Sequence, residues 1–103
     1  MSWTDAYTFD DPFEDLRDEE GARLANALLV ELGREVAPGH PLHGRVCRVI
    51  AKELPQDEAV VVAGEDVALV HLTWSRRAES LPSPTSVFLE SPVAFAELIK
   101  YRY

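Results

Sequence analysis

Five residues in the second half of the chain carry groups that bind anions and move protons. They are an imidazole, a hydroxyl, two guanidinium groups and a carboxylate, at His71, Thr73, Arg76, Arg77 and Glu79. Histidine titrates near neutral pH, and the forked guanidinium group matches carboxylate or phosphate. Because the five are close in sequence, we expect them at one end of a β-sheet, as a site for a small anionic ligand or a minor enzymatic activity. In the alternative interpretation, the arginines are solvated or paired with surface acids.

Two further histidines, His40 and His43, flank Pro41-Leu42 between two glycines, and three imidazoles together are able to bind zinc. In an antiparallel meander, however, both would precede the first strand, at the edge where the third strand begins. His71 would then lie about 13 Å along the strand and about 10 Å across the sheet from them. We therefore predict neither a metal site nor a cofactor. His40, His43 and Trp74 are secondary candidates for ligand binding.

Strong catalytic motifs are missing from the sequence. It contains no phosphate-binding glycine loop, no dinucleotide fingerprint, no paired-cysteine zinc spacing and no helical zinc-protease motif. No serine lies in a nucleophile-elbow context. The single cysteine, Cys47, excludes an intrachain disulfide and is predicted to be a buried, inert thiol. We therefore predict no catalytic residue, and an enzyme is the less favoured interpretation.

The first third of the chain predicts a helix preceded by an arm. Asp11-Pro12-Phe13-Glu14 has the cap, the proline and the following carboxylate of a helix start. An apolar stripe at helical spacing extends from there to Gly33, with Gly21 as a weak point. Its members are Leu16, Leu24, Ala25, Leu28, Leu29 and Leu32. Residues 1–10 place Trp3, Asp5, Tyr7 and Phe9 at alternate positions, which indicates either a short edge strand or an aromatic-acidic arm that docks on another surface.

Beyond Gly39 the apolar period changes from that of a helix to that of a strand. Three valine-rich runs separated by turn residues predict an antiparallel meander. They are residues 46–53, 58–62 and 67–74. A polar loop then leads to a fourth short run at 87–89, and Ser91-Pro92 begins a terminal helix. The expected architecture is a single α+β domain over residues 11–103, with an N-terminal helix, a three- to four-stranded antiparallel meander and a C-terminal helix.

Both faces of the predicted meander carry apolar side chains. The core face includes, on the third strand, Ala68, Val70, Leu72 and Trp74. The mixed face still carries Val46, Ile50, Val67 and Leu69. Either the two helices lie on opposite faces, or both lie on one face and a second subunit covers the other. Burying four such side chains contributes roughly 1.5 to 3 kcal/mol each, so we predict a homodimer.

Charge excludes one class of partner and suggests another. The net charge of -8 repels a phosphate backbone, so we predict no nucleic-acid partner. Residues 1–35 hold ten acids and three bases, which form either a solvated helix face or a surface for a basic protein. No apolar run approaches the roughly 20 residues of a membrane helix, and residues 1–10 do not resemble a signal peptide. We therefore expect a cytoplasmic protein with no membrane contact.

Two motifs of the chain resemble those of a group of short, uncharacterised bacterial proteins. The motifs are Gly39-His40-Pro41-Leu42-His43-Gly44 and Val70-His71-Leu72-Thr73-Trp74-Ser75. Those proteins join a similar Gly-His-Pro-Leu turn to a valine-rich meander that ends in Val-His-Leu-Thr-Trp. The likeness covers residues 39–99 and leaves out the acidic first helix. No activity is assigned to that group, so the resemblance implies kinship only, and it draws attention to His40, His71, Trp74 and Glu79.

These observations favour a non-enzymatic domain that binds other proteins or associates with itself. One alternative is a small anionic-ligand binder, or minor enzyme, that uses the region from His71 to Glu79. Another is an acidic inhibitor of a basic protein. The excess of acids supports the acidic inhibitor, and the local cluster of polar groups supports the anionic-ligand binder.

Overall fold

A five-stranded antiparallel sheet lies between two helices, which confirms the α+β class. The prediction of three to four strands is wrong, because Phe13–Asp15 form an additional strand. The computed structural model describes residues 3–10, 13–53, 58–75 and 84–102. The strands follow one another across the sheet in chain order. They are β1 (Phe13–Asp15), β2 (Cys47–Glu53), β3 (Glu58–Ala63), β4 (Asp66–His71) and β5 (Ser86–Phe88). The helices are α1 (Glu19–Glu35) and α2 (Pro92–Arg102), and a short 3-10 helix covers Trp3–Ala6.

The start of the first helix differs from the prediction. Phe13 to Asp15 form β1 instead, with Phe13 opposite Glu53 and its side chain buried. The helix begins only after Asp18, whose carboxylate accepts the backbone N–H of Gly21 at 2.7 Å. An N-cap aspartate serves this purpose because the first backbone N–H groups of a helix have no partner within it. Residues 11 and 12 of the predicted start lie outside the described ranges.

The two helices cover opposite faces of the sheet. On one face, α1 packs against residues from β2, β3 and β4 that include Val49, Val61 and Val70. On the other face, Phe95 of α2 packs with Val60, among others. Of the four residues that motivated the homodimer prediction, Val67, Leu69 and Ile50 are buried in this second cluster, whereas Val46 is 92% exposed. The apolar face therefore needs no second subunit to cover it.

A β-bulge in β2 interrupts the strict alternation that the sequence suggested. Val49 pairs with Val61, while Ala51 pairs with Val60, so Ile50 is an extra residue in β2. Val49 consequently faces α1, whereas Ile50 and Ala51 both pack on the α2 side. Strict alternation along residues 46–53 predicts that Ala51 shares a face with Val49. This is wrong, because a bulge reverses the facing of the residues that follow it.

The N-terminal arm docks on the same chain. Its aromatic rings surround Phe95, with Tyr7 and Phe9 at centroid distances of 5.6 and 5.7 Å. Trp3 donates its indole N–H to the Leu89 carbonyl at 3.0 Å. Of the two sequence interpretations, the arm fits the structure and the edge strand does not. No helix in the described ranges is both long enough and apolar enough to cross a membrane.

Candidate functional site at the end of β4 and the edge of β5

Strand β4 ends at His71, three residues before the predicted end. Leu72 is still buried, but the chain then leaves the sheet, and Trp74 adopts a left-handed backbone with φ +58°. A non-glycine residue in this region costs roughly 1–2 kcal/mol. The Trp74 side chain is 38% exposed. The prediction that it belongs to the core face is therefore wrong.

A buried glutamate fixes this exit from the sheet. The two carboxylate oxygens of Glu35 accept the backbone N–H groups of Thr73 and Trp74 at 2.9 and 2.8 Å. The pKa of Glu35 is raised by burial and by a hydrogen bond with Glu31, and the backbone bonds oppose the shift in part. Glu35 therefore holds the segment that was predicted from the sequence as the candidate site.

This pair of glutamates was not predicted from the sequence. Leu28, Glu31, Leu32 and Glu35 follow the spacing i, i+3, i+4, i+7 of a buried helix face, and all four are buried. The signal was thus present in the spacing. It was obscured because a carboxylate at such a position is normally assigned to the solvent side of a helix.

A second pair of buried glutamates lies on the opposite face of the same sheet end. Glu53 of β2 is directly opposite Glu58 of β3, and Glu58 is opposite His71 of β4. Both carboxylates are at most 1% exposed, whereas His71 is exposed. Neighbouring strands thus present a carboxylate, a carboxylate and an imidazole in one transverse row. Even so, within the described ranges no three His, Cys, Asp or Glu residues are arranged to hold a metal ion.

The predicted ligand-binding cluster is only partly within the described ranges. His71 and Thr73 are both exposed at this end of the sheet. Arg76, Arg77 and Glu79 lie outside those ranges, so their convergence with His71 stays a prediction. Thr73 takes part through its backbone, which is bound to Glu35.

His40 is a structural residue at the start of β5. Its ring is 4% exposed; Nδ1 accepts the Leu42 N–H at 3.1 Å, and Nε2 lies 2.7 Å from the Pro84 carbonyl oxygen. Because Nδ1 accepts a hydrogen bond, the ring proton is on Nε2, and Nε2–H donates a hydrogen bond to the Pro84 carbonyl oxygen. The prediction that His40 lies where the third strand begins is wrong, since the segment before β2 extends towards Pro84. His43 is exposed.

Cys47 lines a groove of about 440 Å³ between α1 and residues 42–47. Burial raises the pKa of its thiol, and the charge of Arg45 opposes the shift. The raised pKa disfavours the thiolate, which is the nucleophilic form. Val46, at the rim of the groove, is 92% exposed.

Within the described ranges, no strand pairs with the outer edge of β5 along Ser86 and Phe88. His71 donates its N–H to the Thr85 carbonyl at 2.9 Å, and Leu89 donates to the Val67 carbonyl at 2.8 Å. In an antiparallel ladder the backbone groups of alternate residues point to opposite sides. The N–H and C=O groups of Ser86 and Phe88 therefore point away from β4. The Pro84 carbonyl points the same way, where it meets His40.

The two edges of the sheet differ in charge. Edge strand β1 carries Glu14 and Asp15, and Asp15 forms an ion pair with Arg17 at 2.6 Å. Edge strand β5 has the sequence Ser-Val-Phe, with Val87 38% and Phe88 46% exposed. Charged residues usually protect a sheet edge from pairing with another chain. Of the two edge strands in the described ranges, β1 carries such charges and β5 carries none.

Comparison with known proteins identifies no relative. No protein-family model, no curated protein and no solved structure matches the chain. The function is therefore inferred from the geometry alone.

Proposed function

We propose that the protein is a non-enzymatic interaction domain that binds an extended partner segment by strand addition at the outer edge of β5. The observation that carries this proposal is an uncharged edge strand whose Ser86 and Phe88 backbone groups point outward, next to half-exposed Val87 and Phe88. Within the described ranges, β5 is the last strand of the sheet.

Strand addition would combine backbone affinity with side-chain selectivity. The outward N–H and C=O groups of two residues allow four backbone hydrogen bonds, each worth roughly 0.5–1.5 kcal/mol net. Phe88 is opposite Ala68 and therefore lies on the α1 side, whereas Val87 is opposite Leu69 on the α2 side. A partner strand would contact both through its alternating side chains.

The other functions predicted from the sequence remain predictions. An anionic-ligand site would require Arg76, Arg77 and Glu79 to approach the exposed His71 and Thr73. An acidic inhibitor would bind its basic target through the acids that precede α1. Neither has a feature of the described residues comparable to the open edge of β5.

The proposal is tested by titrating the protein with a capped seven-residue peptide of alternating Thr and Val. We expect the largest amide chemical-shift changes at Ser86 and Phe88, and small ones at Glu14 on the charged edge. Ser86→Pro removes an outward N–H without touching the β4 ladder. It should abolish these changes while the thermal melting temperature stays close to that of the wild type. Changes centred elsewhere, or equal binding by Ser86→Pro, would refute the proposal.

A further inference from the structure

We infer that the segment added to β5 is the same strand of a second copy, so that two sheets join edge to edge about a two-fold axis. This inference rests on the proposed function and names its partner. It differs from the homodimer expected from the sequence, which was to cover a sheet face that α2 already covers. The contact here is a sheet edge.

The direction of the backbone groups selects one register. When the two-fold axis passes between the two Val87 residues, Ser86 of each copy lies opposite Phe88 of the other. The N–H and C=O groups of Ser86 and Phe88 in one copy then face complementary groups of Phe88 and Ser86 in the other. This gives four backbone hydrogen bonds in total. A shift by one residue would place Ser86 opposite Val87, whose backbone groups point towards β4. The shifted pairing would leave them without partners.

The neighbours of β5 disfavour longer shifts. A register centred on Ser86 would require Pro84 to pair, but proline has no N–H and its carbonyl already accepts from His40. A register centred on Phe88 would place Ser86 opposite Glu90, whose side chain is exposed and acidic. The Val87-centred pairing is therefore short and specific in register.

Charge distribution favours β5 over β1 as the contact between copies. Residues 13–20, which form and follow edge strand β1, contain five acids and one base. The two edge strands of a five-stranded sheet are about 19 Å apart, more than twice the roughly 8 Å screening length in physiological salt. Pairing through β5 keeps these acid-rich segments apart, whereas pairing through β1 would bring them together.

Some repulsion remains near the contact. Glu65, Asp66 and Glu90 line a depression beside Phe88. Arg45 forms an ion pair with Asp66 at 3.0 Å, which reduces this repulsion without removing it. With only three residues in β5 and two half-exposed side chains, we expect a weak dimer at the small end of interface sizes.

Sedimentation equilibrium of the full chain tests the inference. We expect dimers at protein concentrations of about 0.1–1 mM, in line with a small interface. Phe88→Glu should raise the dimer dissociation constant at least tenfold, because it removes an apolar side chain and adds a negative charge beside Glu65, Asp66 and Glu90. Val46→Glu is the matched control, because it adds the same charge at a solvated valine outside β5 and should change the constant far less. Ser86→Pro provides a second edge variant should Phe88→Glu disturb folding.

The outcomes separate this inference from the proposed function. If the wild type stays monomeric at about 1 mM but binds the Thr-Val peptide at Ser86 and Phe88, the second copy is the wrong partner and strand addition stands. If neither the peptide nor a second copy binds, both proposals fail. A dimer that neither Phe88→Glu nor Ser86→Pro weakens would place the contact elsewhere and overturn the inference.

Discussion

Glu35 shows how one side chain determines where a strand ends. Its carboxylate binds two consecutive backbone N–H groups, those of Thr73 and Trp74, and it is fully buried. These bonds offset the left-handed backbone of Trp74. They also require a carboxyl group to remain within the core beside Glu31, so the stability of the protein depends on the protonation of this pair.

We predict that Glu31→Gln makes stability less dependent on pH. The folded-state pKa of Glu35 is raised above its ordinary value of 4.5. The stabilisation that comes from protonated Glu35 is therefore complete below its ordinary pKa and is lost as the pH rises through the folded-state pKa. The free energy of unfolding falls by at most about 1.4 kcal/mol per pH unit in this range. The side-chain amide that this substitution introduces can donate a hydrogen bond to an ionised Glu35, which relieves this loss.

The measurement is urea denaturation between pH 4.5 and 7. The variant should gain stability relative to the wild type as pH rises. Glu20→Gln is the control, since Glu20 is exposed on the same helix and should not change the slope. Parallel pH profiles of Glu31→Gln and the wild type would show that the pair does not govern stability.

Two glycines of α1 should respond to alanine with opposite signs. A Cβ at Gly21 would overlap the Leu16 backbone, whose carbonyl oxygen lies 2.8 Å away. At Gly33 a Cβ would have no neighbour within 4 Å among the described residues. We expect Gly21→Ala to lower the free energy of unfolding by about 1–3 kcal/mol, and Gly33→Ala to raise it by about 0.5–1 kcal/mol. Thermal and chemical denaturation of the two variants measure both; equal effects would contradict the packing of α1 on Leu16.

At the scale of elements, the connection from α1 to β2 also positions β5. His40 joins this connection to Pro84, 44 residues away in the sequence, and Leu42 adds its side chain to the α1 core. A single buried imidazole thus fixes the start of the edge strand. The His40 ring also binds the outward-pointing carbonyl of Pro84, which precedes Ser86 and Phe88 along the same edge.

We expect His40→Ala to destabilise the fold and His43→Ala to leave it unchanged. Without the ring, the Leu42 N–H and the Pro84 carbonyl lose their partners, at a cost of about 1–3 kcal/mol each when buried. His43 is exposed in the same segment, so its removal should change the free energy of unfolding by less than about 0.5 kcal/mol. Urea denaturation compares the two. Equal stability of both variants would assign no structural role to His40.

At the scale of the whole molecule, a net charge of -8 opposes association of two copies. Added salt screens this repulsion, while backbone hydrogen bonds across β5 do not depend on ion pairs. We therefore predict that raising NaCl from about 20 to 200 mM strengthens the dimer several-fold. Sedimentation equilibrium at the two concentrations measures this. A dimer that weakens with salt would indicate attraction between opposite charges, which the β5 contact does not contain.

Much of the central sheet was predictable because its signals are local. The valine-rich runs and the Gly64-Glu65 turn placed β2, β3 and the start of β4 within one or two residues of the observed strands. The bulge at Ile50 was not predictable in this way, because the extra residue is defined by its pairing with β3. The positions of His71 and Thr73 at the end of the sheet were predictable from the run 67–74, whereas their role in binding a ligand stays a prediction.

The α+β class, the excess of acids near the N-terminus and the central strands follow from local signals, since apolar period, composition and turn residues act over a few neighbouring positions. The remaining features depend on contacts between distant parts of the chain. Phe13 joins a strand despite a local helix-start signal, because its ring is buried beside the Phe95 ring, with 5.1 Å between the two ring centroids. Glu35 and His40 acquire their roles from residues 38 and 44 positions distant, and the edge of β5 is defined by its pairing with β4. Such contacts exist only after the chain has folded, so no local pattern encodes them.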